Sequence, residues 1–149
     1  MNNLPVQPAT GNDFPAIRAL LQSYQLPYED LDREDRYSFL VVREEGDIIG
    51  TIGMENYHPD GLLRSLAVRE DFRGKGYGKA LVKRLESLAK AQKIETLYLL
   101  TTTAAAFFQA MGYHMIEREN APHTIQQTSE FSTVCPGTAT CMRKDFRIT

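Results

Sequence analysis

The chain has 149 residues, 42% hydrophobic and 24% charged, with a formal net charge of -2, a composition that fits one globular domain and excludes a disordered or fibrous chain. Without a long basic run nucleic acid is not an expected partner. No apolar stretch approaches a membrane span, and the start Met1-Asn2-Asn3-Leu4-Pro5 lacks a signal peptide's charged and apolar regions, so the expectation is a cytoplasmic chain that does not enter membranes.

In chain order, Val6 to Thr10 reads as a short strand. Phe14, Ile17, Leu20, Leu21 and Tyr24 then fall at helical spacing, with Asp13 as the expected cap and Pro15 in the first turn. The charged stretch from Gln25 to Tyr37 reads as an irregular or partly helical arm of the kind that covers a site. Phe39 to Arg43, the turn Glu44 to Asp47 and Ile48 to Met54 form a hairpin pattern with a buried face, and Leu62 to Val68 is a further strand. The period then changes, since Ala80, Leu81, Leu85, Leu88 and Ala89 recur at three and four and predict an amphipathic helix beginning near Gly76. Ile94 to Leu100 reads as a strand, Ala104 to Met111 as a short helix stopped by Gly112, and Tyr113 to Glu117 and Ala139 to Phe146 as two closing strands.

The loop joining strand to helix, Arg73-Gly74-Lys75-Gly76-Tyr77-Gly78-Lys79-Ala80, carries the chemistry. Three alternate glycines let successive backbone N–H groups turn toward one point, and the following helix presents its positive end there. Arg73 and Lys75 add positive charge at the rim, which suits a pyrophosphate or ribose phosphate. The spacing lacks the last glycine interval of the dinucleotide fingerprint, and Ala80 stands where a Walker loop needs Ser or Thr. Taken alone, such a loop also reads as a plain strand-to-helix turn with solvated charges.

Leu66-Ala67-Val68 followed by Arg73-x-x-Gly76-x-Gly78 resembles the signature of the GNAT superfamily of N-acetyltransferases, and the resemblance runs over almost the whole chain. It implies an α/β GNAT fold in a single domain over residues 1–149, with a mixed central β-sheet of about six to seven strands flanked by helices and splayed between strands four and five. It implies acetyl-CoA as co-substrate, held at the pyrophosphate by Arg73, Gly74, Lys75, Gly76, Tyr77, Gly78 and Lys79. The backbone of Leu66, Ala67 and Val68 would pair with pantetheine and acetyl groups, and Thr102 and Phe108 would also line the cofactor. Leu97 to Ala104 with Phe107-Phe108, Leu62 to Val68, and Glu130 to Pro136 with Cys141 to Phe146 are most similar to two groups. These are the acetyltransferase domain of N-acetylglutamate synthases and small acetyltransferases associated with arsenic-resistance operons. They imply an amino acid or amino-acid-like amine as acceptor. The arginines that the synthases place near their last strand have no counterpart in Phe131 to Val134.

Acetyl transfer to an amine needs a neutral nitrogen, donors for the developing oxyanion and a proton for the departing thiolate. Glu55, at the end of the Thr51 to Met54 strand, is the expected base, acting directly or through water, and equally reads as a solvated strand-end carboxylate. His58 is the alternative, although His58-Pro59-Asp60-Gly61 also reads as a turn. The backbone N–H of Val68 is the expected oxyanion donor. Many relatives have a tyrosine where this chain has Phe108, so the proton falls to Tyr113, Tyr98 or Thr102, or the thiolate leaves unprotonated. Tyr113 also suits a core-filling role. Arg64 is the expected grip on an acceptor carboxylate, against an outward-facing strand arginine. Cys135 and Cys141 flank a Pro-Gly turn and read either as two small buried residues or as ligands for a soft ion or arsenical. No metal is expected. Edge strands near the C-terminus are compatible with a homodimer. A module that binds acetyl-CoA without turning it over is the other functional class consistent with Phe108.

Overall fold

The computed structural model describes residues 5–29, 31, 37–128, 130–134 and 138–146. Its strands are β1 (Val6–Pro8), β2 (Tyr37–Glu44), β3 (Asp47–Tyr57), β4 (Asp60–Val68), β5 (Thr96–Thr101), β6 (His114–Ile116) and β7 (Thr140–Asp145). Its α-helices are α1 (Phe14–Ser23), α2 (Tyr77–Ala91), α3 (Ala105–Ala110) and α4 (His123–Gln126). The strands join in one seven-stranded sheet in the order β1-β2-β3-β4-β5-β7-β6. β4 and β5 run parallel, pairing Asp60 with Thr96, Gly61 with Leu97 and Leu62 with Tyr98. Their register ends there, whereas β5 stays paired with antiparallel β7 as far as Thr101 and Thr140. The expected mixed, splayed α/β sheet is therefore present.

The chain divides into two compact units, one of Met1–Met54 and Ser65–Leu88, the other of Glu55–Arg64 and Ala89–Thr149. In the first unit, Phe14, Ile17, Leu20 and Leu21 of α1 form a buried stripe that clusters with Leu31, Phe39, Val41 and Ala67, the 3.6-residue period seen in the sequence. Glu45 and Gly46, both with positive φ, make the tight turn from β2 to β3, a geometry matched to the twist of paired strands. Gly50 admits a close neighbour, since a Cβ there would lie 3.3 Å from Leu81 Cδ1. One local expectation is corrected. Asp13 does not cap α1 with its side chain; its carboxylate turns back to accept the Thr10 amide at 2.8 Å and pairs with Arg43 at 2.7 Å. Arginine offers two donors in a fork, which outweighs a single helix amide.

In the second unit, Leu62, Tyr98, Ala121, Ile125, Phe131 and Cys141 form the buried cluster. Gly112, at φ 101°, ends α3 in the left-handed conformation that favours glycine. Three short elements of this unit have no counterpart in the sequence reading: a 3-10 turn over Arg118–Asn120, the four-residue α4 and a π-helical turn over Glu130–Val134. Much of the expected arm, residues 30 and 32–36, lies outside the described residues; Leu31 is buried, and its carbonyl accepts Arg18 Nη1 at 2.6 Å.

Candidate functional site

The glycine-rich loop belongs to the first unit and is built from both ends. At its start, the Arg69 amide donates to Ile49 O at 2.7 Å, fixing the chain as it leaves β4. A short 3-10 turn, Glu70–Phe72, follows, and Arg73 adopts extended backbone. Gly74 and Gly76 then take φ values of 79° and 88°, a region that glycine enters without a Cβ penalty. At its end, α2 begins at Tyr77, one residue after the expected start. The first-turn amides of α2 have no acceptor within the helix, so they add to the positive end of its dipole. Residues 73–76 and Lys79 are exposed, Gly78 is half-buried and Tyr77 is buried. Burial, then the hydrogen bond to Glu44, pushes the Tyr77 phenol up from its ordinary pKa.

Two of the loop's cations lie against aromatic rings. Arg73 Nε donates to Val68 O at 2.8 Å, and its guanidinium lies 4.5 Å from the centroid of the Tyr24 ring. Lys75 Nζ lies 5.3 Å from the Phe72 ring centroid. The Tyr24 hydroxyl accepts the Glu70 amide at 2.7 Å, so one aromatic residue at the end of α1 both anchors the loop backbone and stacks its arginine. Sequence reading assigned Tyr24 only to the apolar helix face, since nothing in the local pattern marks a partner 46 positions away. Within β4, Ser65 takes a φ of 62°, a non-glycine residue in the left-handed region that interrupts strand alternation just before Leu66, Ala67 and Val68. Of these three, Ala67 is buried and its neighbours are half-buried.

The second unit brings Glu55 and Arg64 together. Arg64 Nη1 donates to Glu55 Oε2 at 2.7 Å, and Arg64 Nε lies 3.5 Å from Glu130 Oε2. The Tyr57 hydroxyl donates to Glu55 Oε1 at 2.5 Å. All three charged residues are buried, at 1%, 2% and 3% exposure for Glu55, Arg64 and Glu130, while Tyr57 is half-buried. Glu55 is therefore not a solvated strand end, and Arg64 is not an outward-facing arginine. Glu130, on the π-helical turn, escaped sequence reading. The available signal was an arginine on a strand of otherwise buried residues, because a buried charge implies a partner of opposite sign.

His58 is exposed, its amide donating to Asn56 Oδ1 in the turn between β3 and β4. Thr102 is exposed before α3. Phe108 and Tyr113 are buried, with ring centroids 5.5 Å apart edge to face, and Lys144 Nζ sits 5.5 Å from the Tyr113 ring centroid. Tyr98 is buried beside Arg143; burial first, then the charge of Asp60, raises its pKa. Cys135 lies outside the described residues. Cys141 is buried in β7, and burial pushes its thiol up to about 11, which keeps it protonated at neutral pH and unlike the thiolate that binds soft ions. A cleft of about 670 Å³ beside β6 is lined by Cys141 and by none of the other expected site residues.

The seven-stranded mixed sheet with its parallel β4–β5 pair and flanking helices matches the fold that comparison with known proteins finds. The acetyltransferase (GNAT) family model matches residues 9–113, and the chain belongs to that family. A Chlorobaculum tepidum protein described as an uncharacterized N-acetyltransferase is 35% identical over 104 residues, covering 69% of this chain and 64% of that protein. The amino-acid acetyltransferase of Pseudomonas fluorescens is 36% identical over 96 residues, 63% of this chain and 22% of that protein. The chain thus spans less than two thirds of these relatives' length. In fold it is similar to the N-acetylglutamate synthase of Neisseria gonorrhoeae complexed with coenzyme A and L-arginine, at a TM-score of 0.77, 19% identity, and coverage of 97% of this chain and 33% of that one. A Mycobacterium tuberculosis protein solved with CoA gives a TM-score of 0.77 at 23% identity, over 96% of this chain and 99% of the other.

Proposed function

We propose that this chain is an acetyl-CoA-dependent N-acetyltransferase that moves the acetyl group to the amine of a small amino-acid-like acceptor by direct attack, in the cytoplasm, without a metal ion. The observation that carries the reading is the loop of Arg73 to Lys79, with its two left-handed glycines, its two ring-stacked cations and the start of a 15-residue helix. A pyrophosphate would accept the loop amides and the Arg73 and Lys75 charges. The names of the Pseudomonas relative and the Neisseria synthase support an amino acid as acceptor. We read the two compact units as one catalytic domain, since β3, β4 and α2 each run through both. A homodimer through the β6 edge belongs to the same reading, supported by Met115, 58% exposed on that strand.

In this mechanism the neutral amine attacks the thioester carbonyl carbon, the carbon–sulfur bond breaks, and one proton leaves the nitrogen while another reaches the thiolate. Glu55 is the base. A carboxylate has about four lone-pair positions, so the bonds from Tyr57 and Arg64 leave capacity for a water that carries the amine's proton. The Val68 amide is the oxyanion donor. Tyr113 supplies the thiolate's proton, with Tyr98 and Thr102 as the other hydroxyls. Arg64 grips an acceptor carboxylate in this reading only if that carboxylate displaces Glu130, whose Oε2 stands 3.5 Å from Arg64 Nε against 2.7 Å between Nη1 and Glu55.

The buried Phe108, which has no proton to give, favours a second reading, an acetyl-CoA sensor without turnover. A thiol-release assay over the L-amino acids and simple amines separates the two. The enzyme reading expects release of coenzyme A with at least one acceptor and a loss of about a hundredfold or more in Glu55→Gln. Binding of acetyl-CoA with no release across the panel would leave the sensor.

A further inference from the structure

We propose that Tyr24 is a positioning residue for coenzyme binding, its ring holding Arg73 in the orientation that meets a phosphate; the inference rests on the reading of the Arg73 to Lys79 loop as a pyrophosphate site. Tyr24 follows the last residue of α1, where the chain is tied back to the helix. The Leu26 amide donates to Leu21 O at 3.0 Å and the Gln25 amide to Gln22 O at 3.1 Å, with Gln25 at a φ of 59°. This pair of bonds closes a helix around a left-handed residue, a place more often given to glycine. Tyr24 also packs against the buried cluster that α1 forms with Phe39 and Val41.

From this anchored end of the helix the side chain meets the loop twice. Its hydroxyl accepts the Glu70 amide at 2.7 Å, the first amide of a 3-10 turn whose N-cap, Arg69, makes no side-chain cap bond. The phenol thus stands where a capping side chain would, and it keeps ring and loop in register. The Arg73 guanidinium lies over the ring, while Arg73 Nε donates to Val68 O at 2.8 Å. One face and one edge of the guanidinium are thereby engaged, and the Nη donors can serve a phosphate. Arg73 is exposed, and an arginine free in solvent loses rotamer freedom when it grips an anion. With the orientation set beforehand, binding no longer carries that loss, and affinity rises.

The test is a double-mutant cycle read by calorimetric titration of the full chain with acetyl-CoA. Tyr24→Leu is expected to bind about fivefold more weakly than wild type, the size of an exposed cation–ring contact. In an Arg73→Gln background the same substitution is expected to change affinity by less than about twofold, because the residue it positions is gone. Tyr24→Phe keeps the ring and leaves the exposed Glu70 amide to water, so its affinity is expected to stay within about twofold of wild type. Tyr24→Met, whose flexible side chain fills the same apolar contacts, takes the place of Tyr24→Leu if that variant does not fold. Wild-type affinity in Tyr24→Leu, an equal loss in Tyr24→Phe, or an undiminished loss in the Arg73→Gln background overturns the inference and leaves the loop reading standing. Absence of binding by the wild type overturns the loop reading first, and this inference with it.

Discussion

Side-chain volume decides at Gly53. A Cβ there would stand 2.6 Å from Phe39 Cζ, and the ring cannot retreat, since Phe39 is 5% exposed and meets Phe14 edge-on at 5.3 Å. Gly53→Ala is expected to cost about 1–3 kcal/mol by overpacking, read as a lower urea midpoint at unchanged slope. At Gly46, by contrast, nothing lies within 4 Å and only the positive φ is at stake. A wild-type midpoint in Gly53→Ala would mean that β2 and β3 do not approach so closely. At this scale the turn-forming glycines Gly74 and Gly76 were legible because their spacing is a local signal, whereas Tyr24 and Glu130 meet partners far along the chain.

Between elements, the Asp13–Arg43 pair ties the start of α1 to β2. The Arg43 guanidinium holds the Asp13 carboxyl down to about 2 against the opposing effect of burial, with the Thr10 amide assisting. A carboxyl whose folded pKa is depressed contributes stability that is complete above its unfolded value, near 3.8, and is lost as pH falls through the folded one. With Arg43 one-third exposed, screening limits the contribution to roughly 1 kcal/mol. Thermal melts of wild type and Asp13→Asn should therefore differ by about that amount at pH 7 and converge toward pH 2. A gap that persists at pH 2 would show that the charge is not its source. Long periodic elements, α1 and α2 above all, were readable because their buried stripes repeat. α4 and the π-helical turn were not, being too short to show a period.

Over the whole molecule, the order β5-β7-β6 could not be read from the chain, since nothing local tells the last strand to insert between two earlier ones. The resemblance supplied the fold class, and family membership bears it out. Whether the loop of Arg73 to Lys79 holds the pyrophosphate of acetyl-CoA is decided by calorimetric titration. Wild-type protein is expected to bind one acetyl-CoA per chain, and Gly76→Ala, which places a side chain at a φ of 88°, to bind about tenfold or more weakly while still folded. No heat of binding from the wild type, or equal affinity in Gly76→Ala, would contradict it.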